Sequence, residues 1–109
     1  GGFASIRTRH RIQLNNCQKI NLKVIGDGNT YQIRIKDNSS NYYSYQQEFE
    51  TNGLEQEITL SLSEFRPIFR GTYLSAENFD KKLISELSFM IVSKKEPDFK
   101  LKIIEININ

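Results

Sequence analysis

A chain of 109 residues, 38% apolar and 26% charged, suits one globular domain and is too short for two. Fifteen basic against thirteen acidic residues leave a net charge of +2, which gives no electrostatic case for nucleic acid or for a polybasic membrane contact. One cysteine, Cys17, and one histidine, His10, exclude an internal disulfide and a zinc site built from those residue types alone, and no apolar run reaches the roughly 20 residues of a membrane span.

Two alanines against fourteen isoleucines favour strands over helices. In chain order, Phe3 to Thr8 reads as a strand, and Arg11 to Leu14 as a short one. Ile20, Leu22 and Val24 alternate with polar residues, as do Tyr31, Ile33 and Ile35. Between them Gly26-Asp27-Gly28-Asn29 is a tight-turn sequence, so the two runs are expected to pair as a hairpin. Asp37 to Asn41 reads as a loop. Tyr43, Tyr45, Gln47 and Phe49 form one face of a third strand, with Ser44, Gln46, Glu48 and Glu50 on the other. After the Asn52-Gly53 turn, Ile58, Leu60 and Leu62 mark another half-buried strand.

From Ser63 the alternation stops. Ser63 is expected to cap a helical turn beginning at Glu64, and Pro67 to end it. Phe65 to Asn78 reads as a long connection with aromatic anchors and a turn at Gly71, crossing between two sheets. Asp80 to Ser85 is expected to form a second helical turn. Leu87, Phe89 and Ile91 resume the alternation, Lys94 to Asp98 forms a turn, and Phe99, Leu101 and Ile103 begin the last strand. Ile104, Ile106 and Ile108 change parity, which implies a β-bulge or a strand buried on both faces. Seven or eight strands with little helix define an all-β sandwich or jelly roll.

Five stretches in register carry a family resemblance. They are Gly1-Gly2-Phe3-Ala4-Ser5-Ile6-Arg7-Thr8; Gly26-Asp27-Gly28 with Tyr31 and Ile33-Arg34-Ile35; Tyr45-Gln46 with Phe49 and Thr51; Phe65-Arg66-Pro67 with Phe69-Arg70-Gly71; and Leu87-Ser88-Phe89-Met90-Ile91. Together they resemble the complex I intermediate-associated protein thirty family over essentially the whole chain. The resemblance implies a galactose-binding-like β-sandwich of jelly-roll type and a non-enzymatic role in holding intermediates of respiratory complex I. Family domains carry an early strand and a glycine-rich loop ahead of the first stretch, so residues 1–109 are expected to be a single domain lacking that N-terminal segment. Leu54-Glu55 also departs from the family, which has an aromatic residue after that turn.

The candidate binding residues are Arg7, Arg34, Tyr42, Arg66, Phe69 and Arg70. Guanidinium groups converging on one face would take a carboxylate, a sugar or an acidic partner through forked hydrogen bonds. The plainer reading is solvated arginines, or arginines paired with Asp37, Glu48, Glu50 or Glu64. Tyr31, Tyr43 and Tyr45 read as core and half-core side chains, whereas Tyr42 falls off that face and is expected to be exposed. Asp27, Asp37 and Asn38 to Asn41 supply oxygens that a calcium ion would accept, but ordinary turn chemistry explains them. Glu48 and Glu50 read as a solvated strand face rather than a glycosidase pair, and Cys17 as a passive residue.

These readings converge on a binding or scaffolding domain with no catalysis, no metal and no cofactor. It is expected to dock a protein partner, which by resemblance means complex I subunits or assembly intermediates. A carbohydrate-binding module is the alternative, with a glycan as ligand. Neither nucleic acid nor a membrane span is expected. The expected location is the cytoplasm, or the mitochondrion in a eukaryote.

Overall fold

The computed structural model describes residues 5–8, 12–37, 42–92 and 100–109. The turn at 94–98 and the loop oxygens of Asn38 to Asn41 lie outside the described residues, as do His10 and Phe99.

Eleven strands are present among the described residues, eight of them four residues or longer. They are β1 (Ser5–Thr8), β2 (Ile12–Gln13), β3 (Lys19–Ile25), β4 (Thr30–Lys36), β5 (Ser44–Glu50), β6 (Glu55–Ser61), β7 (Arg66–Phe69), β8 (Thr72–Tyr73), β9 (Leu83–Ile84), β10 (Glu86–Ile91) and β11 (Lys102–Ile108). Every pairing is antiparallel. One sheet has six strands in the order β1-β10-β4-β5-β7-β8, a second has three in the order β11-β3-β6, and β2 pairs with β9.

The all-β sandwich expected from the alternation is the observed fold. Each long strand carries one apolar row, and the two rows meet in the core. Ile20, Leu22, Val24 and Leu60 come from the small sheet, and Tyr31, Ile33, Ile35, Tyr45, Phe49, Leu87 and Phe89 from the large one. Burying one such aliphatic or phenyl side chain stabilises by about 1.5–3 kcal/mol, so this shared layer is what holds the sheets face to face.

The expected hairpin around Gly26 to Asn29 is not formed. β3 pairs with β6 and β11, whereas β4 pairs with β5 and β10. The glycine-rich link is therefore an arch from one sheet to the other. Its cause is tertiary. Gly26 is buried and packs so closely on Thr51 that a Cβ there would overlap the Thr51 side chain. The Thr51 hydroxyl donates to the Asn29 carbonyl (2.8 Å) and accepts from the Gly28 N–H (3.0 Å). Asp27 Oδ2 accepts the Lys100 N–H (2.7 Å), and Asp27 Oδ1 takes the Asn29 N–H (3.2 Å) and lies 2.8 Å from the Tyr31 hydroxyl. Gly28 adopts φ of 90°, a left-handed conformation that favours glycine.

Three further expectations are corrected. The helical turn is a 3-10 turn at Leu62–Glu64, entered from Ser61, and Ser63 does not cap it. The stretch Phe65 to Asn78 is not merely a connection, because Arg66–Phe69 joins the large sheet beside β5 and turns back as β8. Pro67 is tolerated there for a geometric reason. The N–H and C=O of one strand residue face the same neighbour, and the Pro67 carbonyl accepts the Leu74 N–H (2.9 Å). The missing Pro67 donor thus faces chain beyond the end of β8 rather than β5. Asp80 to Ser85 forms no helical turn, because Leu83–Ile84 pairs with Ile12–Gln13 and Ile84 is fully buried. The parity change in β11 is a bulge between Ile103 and Glu105, which leaves Ile104 41% exposed.

Candidate functional site

The core occupies one face of the six-stranded sheet, so alternation sends a second set of side chains to the opposite face. On that outer face Arg7, Ser88, Arg34, Gln46 and Arg66 hold successive register positions across β1, β10, β4, β5 and β7. Arg7 is placed here by its backbone register alone.

At the β4–β5–β7 end of this row the side chains form a connected group. Arg34 is half-buried; its Nε–H donates to Gln46 Oε1 (2.7 Å) and its Nη2 to Gln32 Oε1 (3.3 Å). A guanidinium has only donors, so the Gln46 amide must turn its oxygen to Arg34. Its Nε2 then donates to the Tyr73 hydroxyl at 3.1 Å. The Arg66 guanidinium carbon sits 3.8 Å above the centre of the Tyr73 ring, a cation–π stack. Gln46 is 2% exposed although it lies on the solvent face of its strand, because Arg34, Arg66 and Tyr73 are its neighbours. Burial pulls the Arg34 guanidinium below its ordinary range, with the Tyr73 phenol opposing; it remains a cation at neutral pH.

Among the described residues neither Arg34 nor Arg66 forms an ion pair, and the Lys81–Asp80 contact at 3.4 Å involves neither.

Tyr42, Phe69 and Arg70 form a separate group. Arg66 and Phe69 leave opposite faces of β7 by alternation, since Arg66 pairs with outward Gln46 and Pro67 is fully buried. The β7–β8 loop is Arg70-Gly71, with φ of 50° and 79°, the twist that a two-residue hairpin loop requires. Arg70 lies over the Phe69 ring at 5.1 Å. Phe69 meets Tyr42 edge to face at 5.1 Å, and the contacts continue through Tyr43 and Tyr45 to Phe79 in the core. Tyr42 is 66% exposed, as its position off the strand face implied, while Tyr31 and Tyr45 are core residues. Burial and then the Tyr43 hydroxyl push the Tyr45 phenol upward.

The six candidates thus divide. Arg34 and Arg66 share one site with Gln32, Gln46 and Tyr73; Tyr42, Phe69 and Arg70 share another; and Arg7 holds the far end of the row. Sequence reasoning missed Gln46, which alternation places on one strand face with Glu48 and Glu50, and Tyr73, which falls within the Phe65 to Asn78 connection. The signal for both was the Pro67 strand, which brings Arg66 beside Gln46.

The remaining candidates are accounted for locally. Asp27 is occupied by its turn. Burial pushes its carboxyl up, but hydrogen bonds from Lys100, Tyr31 and Asn29 outweigh this and hold it below the usual range. Glu48 and Glu50 are exposed. Cys17 is half-buried, its thiol 3.7 Å from the Ile108 carbonyl. Among the described residues no group of histidine, cysteine and carboxylate side chains could hold a metal ion, and no helix is long and apolar enough to cross a membrane.

Two β-sheets closed on a shared core, with an ordered polar group on the outer face of the larger, define an all-β sandwich. The family model of Complex I intermediate-associated protein 30 matches residues 1–103. The chain belongs to that family. No curated protein matches it.

Proposed function

We propose that this domain is a non-catalytic scaffold that docks a protein partner through the outer face of its six-stranded sheet, in an assembly role related to respiratory complex I. Family membership supports the assembly role. The observation that carries the docking face is the linked group of Arg34, Gln46 and Tyr73 with Arg66 stacked on it. Fixed arginine and aromatic side chains on an open face are the usual anchors of protein interfaces.

Crosslinking with mass spectrometry on the full-length protein, in membranes and soluble fractions of its own source, tests this. Recovery of complex I subunits or assembly intermediates is expected. Their crosslinks should reach Lys36, on the outer side of β4, in preference to Lys23 and Lys102 on the opposite sheet. Crosslinks confined to Lys23 and Lys102 would move the docking face to the small sheet, and recovery of no such subunit would remove the assembly reading.

A second reading, a carbohydrate-binding module, rests on Tyr42. Its exposed ring, held edge-on by Phe69 and Tyr43, offers an aromatic surface on which a sugar can stack. Saturable binding on a glycan array that disappears with Tyr42→Ala would favour it.

A further inference from the structure

The group on the outer face of the large sheet has an unbalanced hydrogen-bond inventory. Arg34 uses its Nε–H and one Nη2 hydrogen on Gln46 and Gln32; a guanidinium carries five N–H donors, and the others meet no protein acceptor among the described residues. The Tyr73 hydroxyl accepts from Gln46 Nε2, which leaves its own hydrogen available to donate. Arg66 turns its face to the Tyr73 ring, and its N–H edge meets no protein acceptor among the described residues. Two cations and one phenolic donor therefore lie together, and among the described residues no carboxylate pairs with them. Arg34 is moreover half-buried, and a cation withdrawn from water without an anionic partner is costly.

The second feature is rigidity. Gln46 is the buried hub. Its oxygen fixes Arg34 and its nitrogen fixes Tyr73, and the Tyr73 ring supports Arg66. These contacts order all three donors before any ligand arrives, which lowers the entropy lost on binding.

We propose that Arg34, Arg66 and the Tyr73 hydroxyl form a preorganised site for a carboxylate, supplied by an aspartate or glutamate side chain of the docked protein. The inference rests on the scaffold reading and names the chemistry of its docking face. A carboxylate has two oxygens, which lets it bridge a forked donor of Arg34 or Arg66 and the Tyr73 hydroxyl. Hydrogen bonds between charged partners are about twice as strong as neutral ones. Gln46 is a positioning residue, because it acts through Arg34 and Tyr73.

The test uses NMR of the full chain, following the Nε–H resonances of Arg34 and Arg66. The probe is an N-acetylated, C-amidated tetraglutamate peptide, with tetraglutamine as the neutral control and inorganic phosphate at equal ionic strength. Saturable shifts at both arginines with tetraglutamate, and none with tetraglutamine, are expected. Arg66→Gln should weaken this binding at least about tenfold, the loss that follows removal of a charge-assisted contact, and leave the backbone spectrum elsewhere unchanged. Because Arg66 is exposed, that variant keeps the test valid even if Arg34→Gln fails to fold. Tyr73→Phe should weaken binding severalfold. Equal responses to the two peptides, an affinity indifferent to Arg66→Gln, or tighter binding of phosphate than of tetraglutamate would each overturn the proposal. If crosslinking still recovers complex I subunits while tetraglutamate fails, the carboxylate site falls and the scaffold reading stands. If tetraglutamate binds but no such subunit is recovered, the scaffold reading falls instead.

Discussion

On the outer face of the three-stranded sheet, Glu57, Lys23 and Glu105 stand in one cross-strand row, and Thr59, Asn21 and Asn107 in the next. There the Thr59 hydroxyl donates to Asn21 Oδ1 (3.0 Å), Asn21 Nδ2 donates to Asn109 Oδ1 (2.7 Å), and Asn107 Nδ2 to Glu105 Oε1 (3.1 Å). On the outer face of the six-stranded sheet the row is Arg7, Ser88, Arg34, Gln46 and Arg66, with no acidic residue in it. Opposite charges stand face to face in the first and amides answer each other, which is how a sheet surface satisfies itself. The second is a row of donors with no acid in it, flanked on the same face by Glu86 opposite Lys36 and Glu48 opposite Gln32. Two rows on opposite faces of one sandwich, built on the same alternation, thus differ in the balance of donors and acceptors they present.

The comparison can be broken most forcefully where the two sheets are joined. Gly26→Val is expected to destabilise by about 2–3 kcal/mol in urea denaturation, because overpacking against Thr51 forces the arch open. Unchanged stability would mean that the arch does not fix how the two faces are set. Asp27→Asn should cost about 1–2 kcal/mol at neutral pH through weakened hydrogen bonds to the Lys100 N–H and the Tyr31 hydroxyl. The sign of the pH dependence follows from the lowered Asp27 carboxyl. Its contribution is complete above the unfolded value near about 4 and is lost as pH falls through the lower folded value. Wild type and Asp27→Asn should therefore converge in thermal melts as the pH falls through the lowered folded value, and a gap that widened on acidification would contradict the arch geometry.

The two outer faces themselves should respond in opposite ways. Asn21→Ala is expected to lower stability by about 0.5–1 kcal/mol, since it interrupts the exposed amide chain, with no effect on partner recovery in crosslinking. Arg66→Gln should change stability by less than about 0.5 kcal/mol, the usual range for an exposed site, yet reduce partner recovery. Equal stability losses from the two variants would erase the distinction drawn between the faces.

Much of this architecture could be read from periodicity. The rows Ile20-Leu22-Val24, Tyr31-Ile33-Ile35 and Leu87-Phe89 all face the core as their spacing requires, and the parity change at Ile104 is a bulge. Pairing partners were not legible. Gly26-Asp27-Gly28-Asn29 has the local chemistry of a hairpin turn, and what makes it an arch is contact with Thr51 and Lys100, far along the chain. Leu83–Ile84 was likewise hidden, because its partner lies at Ile12–Gln13. The site followed the same logic. The arginines were visible as residues, but only strand neighbours bring Gln46 and Tyr73 between them, and Pro67 concealed the strand that does so.

The arch also has a kinetic consequence. A hairpin forms locally and early, whereas β3 finds its partners only at Glu55–Ser61 and Lys102–Ile108, and β1 finds its own only at Glu86–Ile91. A chain emerging in order leaves β3 without a neighbour until Glu55–Ser61 has been made, and with one edge open until Lys102–Ile108 follows. Folding dominated by such distant pairings falls on the order of milliseconds to seconds. During that interval the unpaired edges of β3 and β6 are the segments open to misassociation with other chains.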